Sequence, residues 1–88
     1  MAVERIAVDC GGVTTYPTNP QAVIPFSPKS ITVISDDNDC YVSLDGVNDH
    51  CHLAGSGAAV KFDQHGKSVW LREGAANTHV NVQVIAEV

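Results

Sequence analysis

Apolar and polar residues alternate along positions 78–88. Val80, Val82, Val84, Ala86 and Val88 fall on one side, His79, Asn81, Gln83 and Glu87 on the other, and Ile85 breaks the polar row. A period of two is that of a β-strand with one face in a core, and a stretch of this length at strand rise reaches roughly 36 Å. The spacing therefore predicts a long strand that runs the length of its sheet and organises its neighbours.

Shorter runs repeat the pattern. Residues 5–10 read as a strand stopped by Gly11-Gly12, residues 30–35 as one stopped by Asp36-Asp37-Asn38-Asp39, and residues 40–44 as one stopped by the turn pair Asp45-Gly46. The last two read together as a hairpin. After a less regular connection over 47–56, framed by Gly55 and Gly57, residues 58–63 form another run. His65-Gly66 turns the chain into 68–72, and Glu73-Gly74-Ala75-Ala76-Asn77 leads to the last strand. Turns recur about every ten residues, the spacing of a sandwich or barrel, and no heptad, helical stripe or repeat interrupts them. The expected fold is all-β, roughly six to eight antiparallel strands in a two-sheet β-sandwich, with the jelly roll as one form of it.

Residues 13–29 follow a different rule. Pro17, Pro20, Pro25 and Pro28 punctuate them, each removing a ladder donor and biasing its predecessor toward extended geometry. The domain 1–88 thus divides into an extended Pro-containing N-terminal arm or edge segment over 1–28, with a short strand at 22–24, and core strands over 29–88. The inward set is Ile31, Val33, Cys40, Val42, Leu44, Val60, Phe62, Val69, Leu71, Val80, Val82, Val84 and Ala86. Ile34, Trp70 and Ile85 point away from their strands' main rows, and clustered apolar groups left outside mark a contact surface. Tyr16, Val23, Ile24 and Phe26 of the arm also need a pre-formed surface, so the interface expected between chains comprises Tyr16, Val23, Ile24, Phe26, Trp70 and Ile85.

Composition sharpens this. An 88-residue chain buries only about 60 to 65% of the surface its unfolded form exposes, so it gains from a partner chain. The three cysteines, odd in number, cannot all pair within one monomer. Cys40, in phase with Val42 and Leu44, is expected to be buried and reduced. The start of the chain carries an acid and no long apolar run, unlike a signal peptide, and no run reaches the length of a membrane span. Five basic residues are scattered against ten acidic ones, giving a net charge of −5, which disfavours nucleic-acid binding because phosphates need a basic footprint. Charged residues at only 17% leave a rather neutral surface suited to protein contact.

Candidate chemistry is sparse. His50 and His52 share a face if extended, about 7 Å apart with Cys51 on the opposite side, but two ligands are too few for zinc, and Cys10, Cys40, His65 and His79 sit at no recognised spacing. A Cys–His nucleophile lacks an orienting third group. Asp36, Asp37 and Asp39 lack the central Gly and terminal Glu of a calcium loop, and turn formation explains them. The strand-to-glycine run at 7–12 is too short of surrounding chain to be a sugar-kinase phosphate loop. No catalytic residue, cofactor or metal is expected, and the chain reads as a non-enzyme.

The stretch 31–46 (Ile31-Thr32-Val33-Ile34-Ser35 with Cys40-Tyr41-Val42-Ser43-Leu44-Asp45-Gly46) and the closing pair 68–72 and 80–86 resemble the small all-β virion proteins of tailed bacteriophages, particularly capsid decoration (cement) proteins. The resemblance rests on strand patterns over about two thirds of the chain, and sandwich folds host many functions. It implies a non-enzymatic homo-oligomer, often a trimer, seated on the major capsid protein at the outer capsid surface of the virion. A tail or fibre component would share the fold. A carbohydrate-binding module would instead array aromatics on one face, drawn from Tyr16, Phe26, Tyr41, Phe62 and Trp70.

Overall fold

The structure is a computed structural model that describes residues 3–63, 66–75 and 79–88. Within them the chain forms eight strands and no helix: β1 (Val3–Asp9), β2 (Ala22–Val23), β3 (Ser30–Ser35), β4 (Cys40–Ser43), β5 (Cys51–Leu53), β6 (Ala58–Phe62), β7 (Ser68–Glu73) and β8 (Asn81–Glu87). They make two four-stranded antiparallel sheets, one in the order β1-β8-β3-β6 and the other in the order β2-β7-β4-β5. The alternating strand 78–88 is shorter than its pattern, because β8 begins at Asn81; Thr78 lies outside the described residues, as do His65, Ala76 and Asn77 of the expected turns. Its place is nonetheless central. β8 pairs with β1 on one side, Val82 opposite Val8, and with β3 on the other, Val84 opposite Val33.

The expected hairpin of β3 and β4 does not form. β3 pairs with β6 and β8, whereas β4 pairs with β5 and β7 in the other sheet. Residues 36–39 are a crossover between sheets, pinned by side chains. The Ser35 hydroxyl donates to the Asn38 carbonyl, and Asp37 Oδ1 accepts from the Asn38 and Asn81 amides. The same holds for the closing pair, β7 and β8, which belong to different sheets. Alternation shows that each strand has one apolar row. It does not show whether two successive rows lie side by side or face each other across a core.

Here they face. Ile31, Val33, Val82, Val84 and Ala86 from one sheet and Cys40, Val42, Leu53, Val69 and Leu71 from the other form one buried cluster with Val80. Leu44, Val60 and Phe62 pack against it half-buried. The N-terminal segment also contributes. β1 and β2 each occupy an edge, one per sheet, and Cys10, Ala22, Ile24 and Pro28 are buried within the chain's own core. Gln21 extends this attachment, donating through Nε2 to the Leu71 carbonyl (2.6 Å) while its Oε1 accepts the Leu71 amide (3.0 Å). A side-chain amide here replaces the ladder that prolines deny to the backbone.

Candidate binding surface

The outer face of the β2-β7-β4-β5 sheet gathers the polar and aromatic side chains. Register sets Tyr41 of β4 between His52 of β5 and Arg72 of β7, all on the side away from the core. The His52 ring stacks on Tyr41 with centroids 4.5 Å apart, and the Arg72 guanidinium lies 4.0 Å from the Tyr41 centroid and 5.7 Å from that of Tyr16. Asp49 fixes the guanidinium from the following loop, accepting from Nε (3.1 Å) and Nη2 (2.7 Å), and its Oδ1 also accepts the Tyr16 hydroxyl. Bidentate geometry of this kind holds Arg in one orientation. Arg72, with the Tyr16 hydroxyl, holds the Asp49 carboxyl below its usual range, while burial and the nearby Asp49 push the Tyr16 phenol up.

Loop 43–50 is built by Asp45. Its Oδ1 accepts the Val47 and Asn48 amides and the Ser43 hydroxyl, and Oδ2 accepts Asn48 Nδ2. Those bonds, the Asn48 amide first, depress the Asp45 carboxyl. The loop lies over Trp70. A Cβ at Gly46 would sit 2.9 Å from Trp70 Cε2, so only glycine, here at φ 79°, lets the backbone rest on the indole. Trp70 Nε1 is buried beneath it and finds no hydrogen-bond partner among the described residues. Between this loop and residues 14–16 opens a cleft of about 470 Å³ lined by Thr14, Thr15, Tyr16, Val47, Asp49 and Arg72. Hydroxyls, a carboxylate, a guanidinium and one aromatic ring converge there, an assortment able to bind a polyhydroxylated or polar peptide surface.

The six residues expected at an interface do not form one patch. Tyr16 lines the cleft and Trp70 lies under the adjoining loop, but Ile85 is half-buried on the other sheet, opposite Arg5 and Thr32. Val23 is exposed at the β2 edge, Phe26 packs against the core, and Ile24, at 1% exposure, is a core residue that presents no surface. Sequence reasoning missed Asp49 and Arg72, and it named Tyr41 and His52 only in other roles, as a lone platform aromatic and as half of a histidine pair. The strand phase of Tyr41 and Arg72 pointed outward, but their meeting depends on cross-strand register, which alternation does not fix.

His50 and His52 do not converge. His50 Nδ1 accepts the Leu44 amide (3.0 Å), whereas His52 turns its Nε2 to Asp39 Oδ2 (3.3 Å). Asp36 and Asp37 serve Gln83 and Asn81. Among the described residues no group of three or more His, Cys, Asp or Glu is placed to hold a metal ion. No family model, no curated protein and no solved structure matches the chain.

Two predictions arise from these surroundings. All three thiols are free; burial pushes Cys10 up to about 12 and Cys40 up to about 11, whereas Cys51 is half-buried. A thiolate is the reactive form, so a maleimide should label Cys51 quickly in the native protein and reach the other two only on unfolding. Equal rates at all three would show that the core opens.

The second concerns Asp9, whose carboxyl accepts from His79 Nδ1 (2.8 Å) and from the Val80 and Gly11 amides. His79 foremost holds it down at about 2, and Asp9 in turn raises His79. A lowered acid contributes stability above its ordinary value and loses it as pH falls through about 2; a raised imidazole contributes below its ordinary value and loses it as pH rises through the raised one. The ion pair therefore contributes most between 3.8 and 6.5, the ordinary values of the two groups. The melting-temperature difference between wild type and His79→Gln should peak in that window and close on both sides. A difference that stays flat into alkaline pH would show that the imidazolium has no part in it. Both groups are exposed, so the effect is small.

Proposed function

We propose that the chain is a jelly roll serving without catalysis as a decoration or cement protein on a phage head, assembling with itself and seating on the major capsid protein. The observation that carries this reading is the strand order. The pairings β1·β8, β2·β7, β3·β6 and β4·β5 are those of one long antiparallel ribbon rolled up on itself. That wrap, with its order 1-8-3-6 facing 2-7-4-5, recurs in viral capsid and lectin domains. The sparse surface charge and the small core support a chain that works by protein contact.

The test is addition of the full chain to heads assembled from a tailed phage's major capsid protein and stripped of accessory proteins. Saturable binding at positions repeated by the shell's symmetry, with a rise in its disruption temperature, is the expected result; heads that neither bind the protein nor gain heat resistance would end the reading. A second reading, glycan binding, is favoured by the cleft of Thr14, Thr15, Tyr16, Asp49 and Arg72 beside the Tyr41 and His52 stack. A glycan array separates the two. Retention of an oligosaccharide, abolished by Arg72→Ala, would favour the second.

A further inference from the structure

The four sheet edges are not alike. β2 has two residues and is closely followed by Pro25, β5 has three, and β6 has five with an exposed Lys61. Short length, proline and lysine are the devices that keep edges from pairing with another chain. β1 has seven residues, no proline and an uninterrupted register with β8. Its unpaired groups can be assigned. The Cys10 amide donates to the Val80 carbonyl (3.0 Å) at the end of the ladder. In an antiparallel pair alternate residues exchange both bonds with the neighbour, so Val8, Ile6 and Glu4 turn their backbone groups to β8. Arg5, Ala7 and Asp9 turn theirs outward.

We infer that β1 pairs with β1 of a second copy, antiparallel about a two-fold axis at Ala7, joining the two β1-β8-β3-β6 sheets edge to edge. The outward residues must face outward residues, and of the registers this permits, the one centred on Ala7 sets Arg5 directly opposite Asp9 of the other copy, twice by symmetry. Centring on Arg5 or on Asp9 would oppose like charges. The inner row fits as well: Ile6 and Val8, half-buried against the core, face Val8 and Ile6 across the axis, so the apolar layer continues through the joint. Such an isologous contact closes on itself as a dimer, in place of the three-fold assembly implied by the resemblance. It shares with the proposed function the idea of self-assembly and needs nothing from the capsid.

Sedimentation of the full chain over a concentration series tests it. The expected mass is twice that of the chain. Ala7→Pro, which removes an amide that no intramolecular bond uses, should give a folded monomer. Arg5→Glu, which opposes two carboxylates, should raise the dissociation constant about tenfold or more. In a Cys51→Ser background, Ala7→Cys should form a covalent dimer on mild oxidation, since directly opposed Cα atoms lie about 5.5 Å apart, within disulfide reach. Val3→Cys, whose opposite position falls beyond Asp9, should not. A single-chain mass at every concentration, a trimer, or a dimer indifferent to Arg5→Glu and uncrosslinked through position 7 would overturn the inference. These two variants decide it even if the proline variant fails to fold. A dimer with this sensitivity that binds no head supports the joint while removing the capsid reading.

Discussion

Val82→Asp should leave the chain unfolded under conditions in which the wild type melts cooperatively. Val82 is 1% exposed at the start of the central strand, flanked by Val8 of β1 and Ser35 of β3. The substitution forfeits about 1.5–3 kcal/mol of side-chain burial and puts an unpaired carboxylate where desolvation costs several kcal/mol more. A domain of this size has roughly 5–10 kcal/mol to lose. Periodicity alone expects its neighbour Asn81→Asp to be silent, because Asn81 faces solvent. The structure alters that expectation. Asn81 Nδ2 donates to Asp37 Oδ2 (2.8 Å) and its amide to Oδ1 (2.9 Å), and these bonds hold the Asp37 carboxyl below its usual range. Asn81→Asp replaces one of them with a like-charge contact, a cost that solvent screening keeps small and that fades as the medium is acidified through the carboxylate range. Chemical denaturation of both variants measures the contrast, and equal midpoints would mean that Val82 does not face the core.

Strand phase was legible in the sequence because burial of one face leaves a local trace. Val80, Val82, Val84 and Ala86 announce their row whatever they pair with. The sheet to which each strand belongs was not legible. Ser30–Ser35 and Cys40–Ser43 look like the arms of a hairpin, and the feature that separates them is the crossover at 36–39, whose Asp37 contacts Asn81, distant in sequence. Non-local contacts leave no periodic signal. The N-terminal segment was legible only in part, its edge strand β2 but not its burial, for a related reason. Prolines mark where backbone donors are missing, yet Gln21 supplies substitutes from a side chain, and Ala22, Ile24 and Pro28 enter the core without a regular run around them. At the candidate site, Tyr16 and Trp70 stood out as lone aromatics. Asp49, which holds Arg72 and the Tyr16 hydroxyl together, sits in a turn-rich stretch where an aspartate reads as a local backbone partner.

Gly55→Ala should be the most damaging of the glycine substitutions outside the Trp70 loop. Gly55 is buried at φ 93°, and a Cβ there would meet the Asp37 carbonyl oxygen at 2.7 Å and the Asn38 carbonyl carbon at 2.8 Å. Both are backbone atoms, so no rotamer change relieves the contact. The same place is where the 55–58 turn is tied to the crossover: the Ser56 amide donates to the Asp37 carbonyl (3.2 Å) and the Gly57 amide to the Ser35 carbonyl (2.8 Å). Moving Gly55 away stretches both bonds and disturbs the start of β6, which opens its ladder with Ala58 opposite Ser35. The left-handed backbone costs about 1–2 kcal/mol for an L side chain, and each lost bond about 1 kcal/mol more, for a total near 3–4 kcal/mol. At about 4–8 °C per kcal/mol for a chain of this length, the melting temperature should fall by roughly 15 °C or more. Gly57→Ala separates the two causes, since Gly57 shares the positive φ (89°) but a Cβ there meets nothing within 4 Å. It should lose only the conformational part, about 5–10 °C. If the two variants melted together, the approach of Gly55 to the crossover would be too soft to position β6, and the link between the sheets would have to be sought in the Asp37 and Asn81 contacts instead.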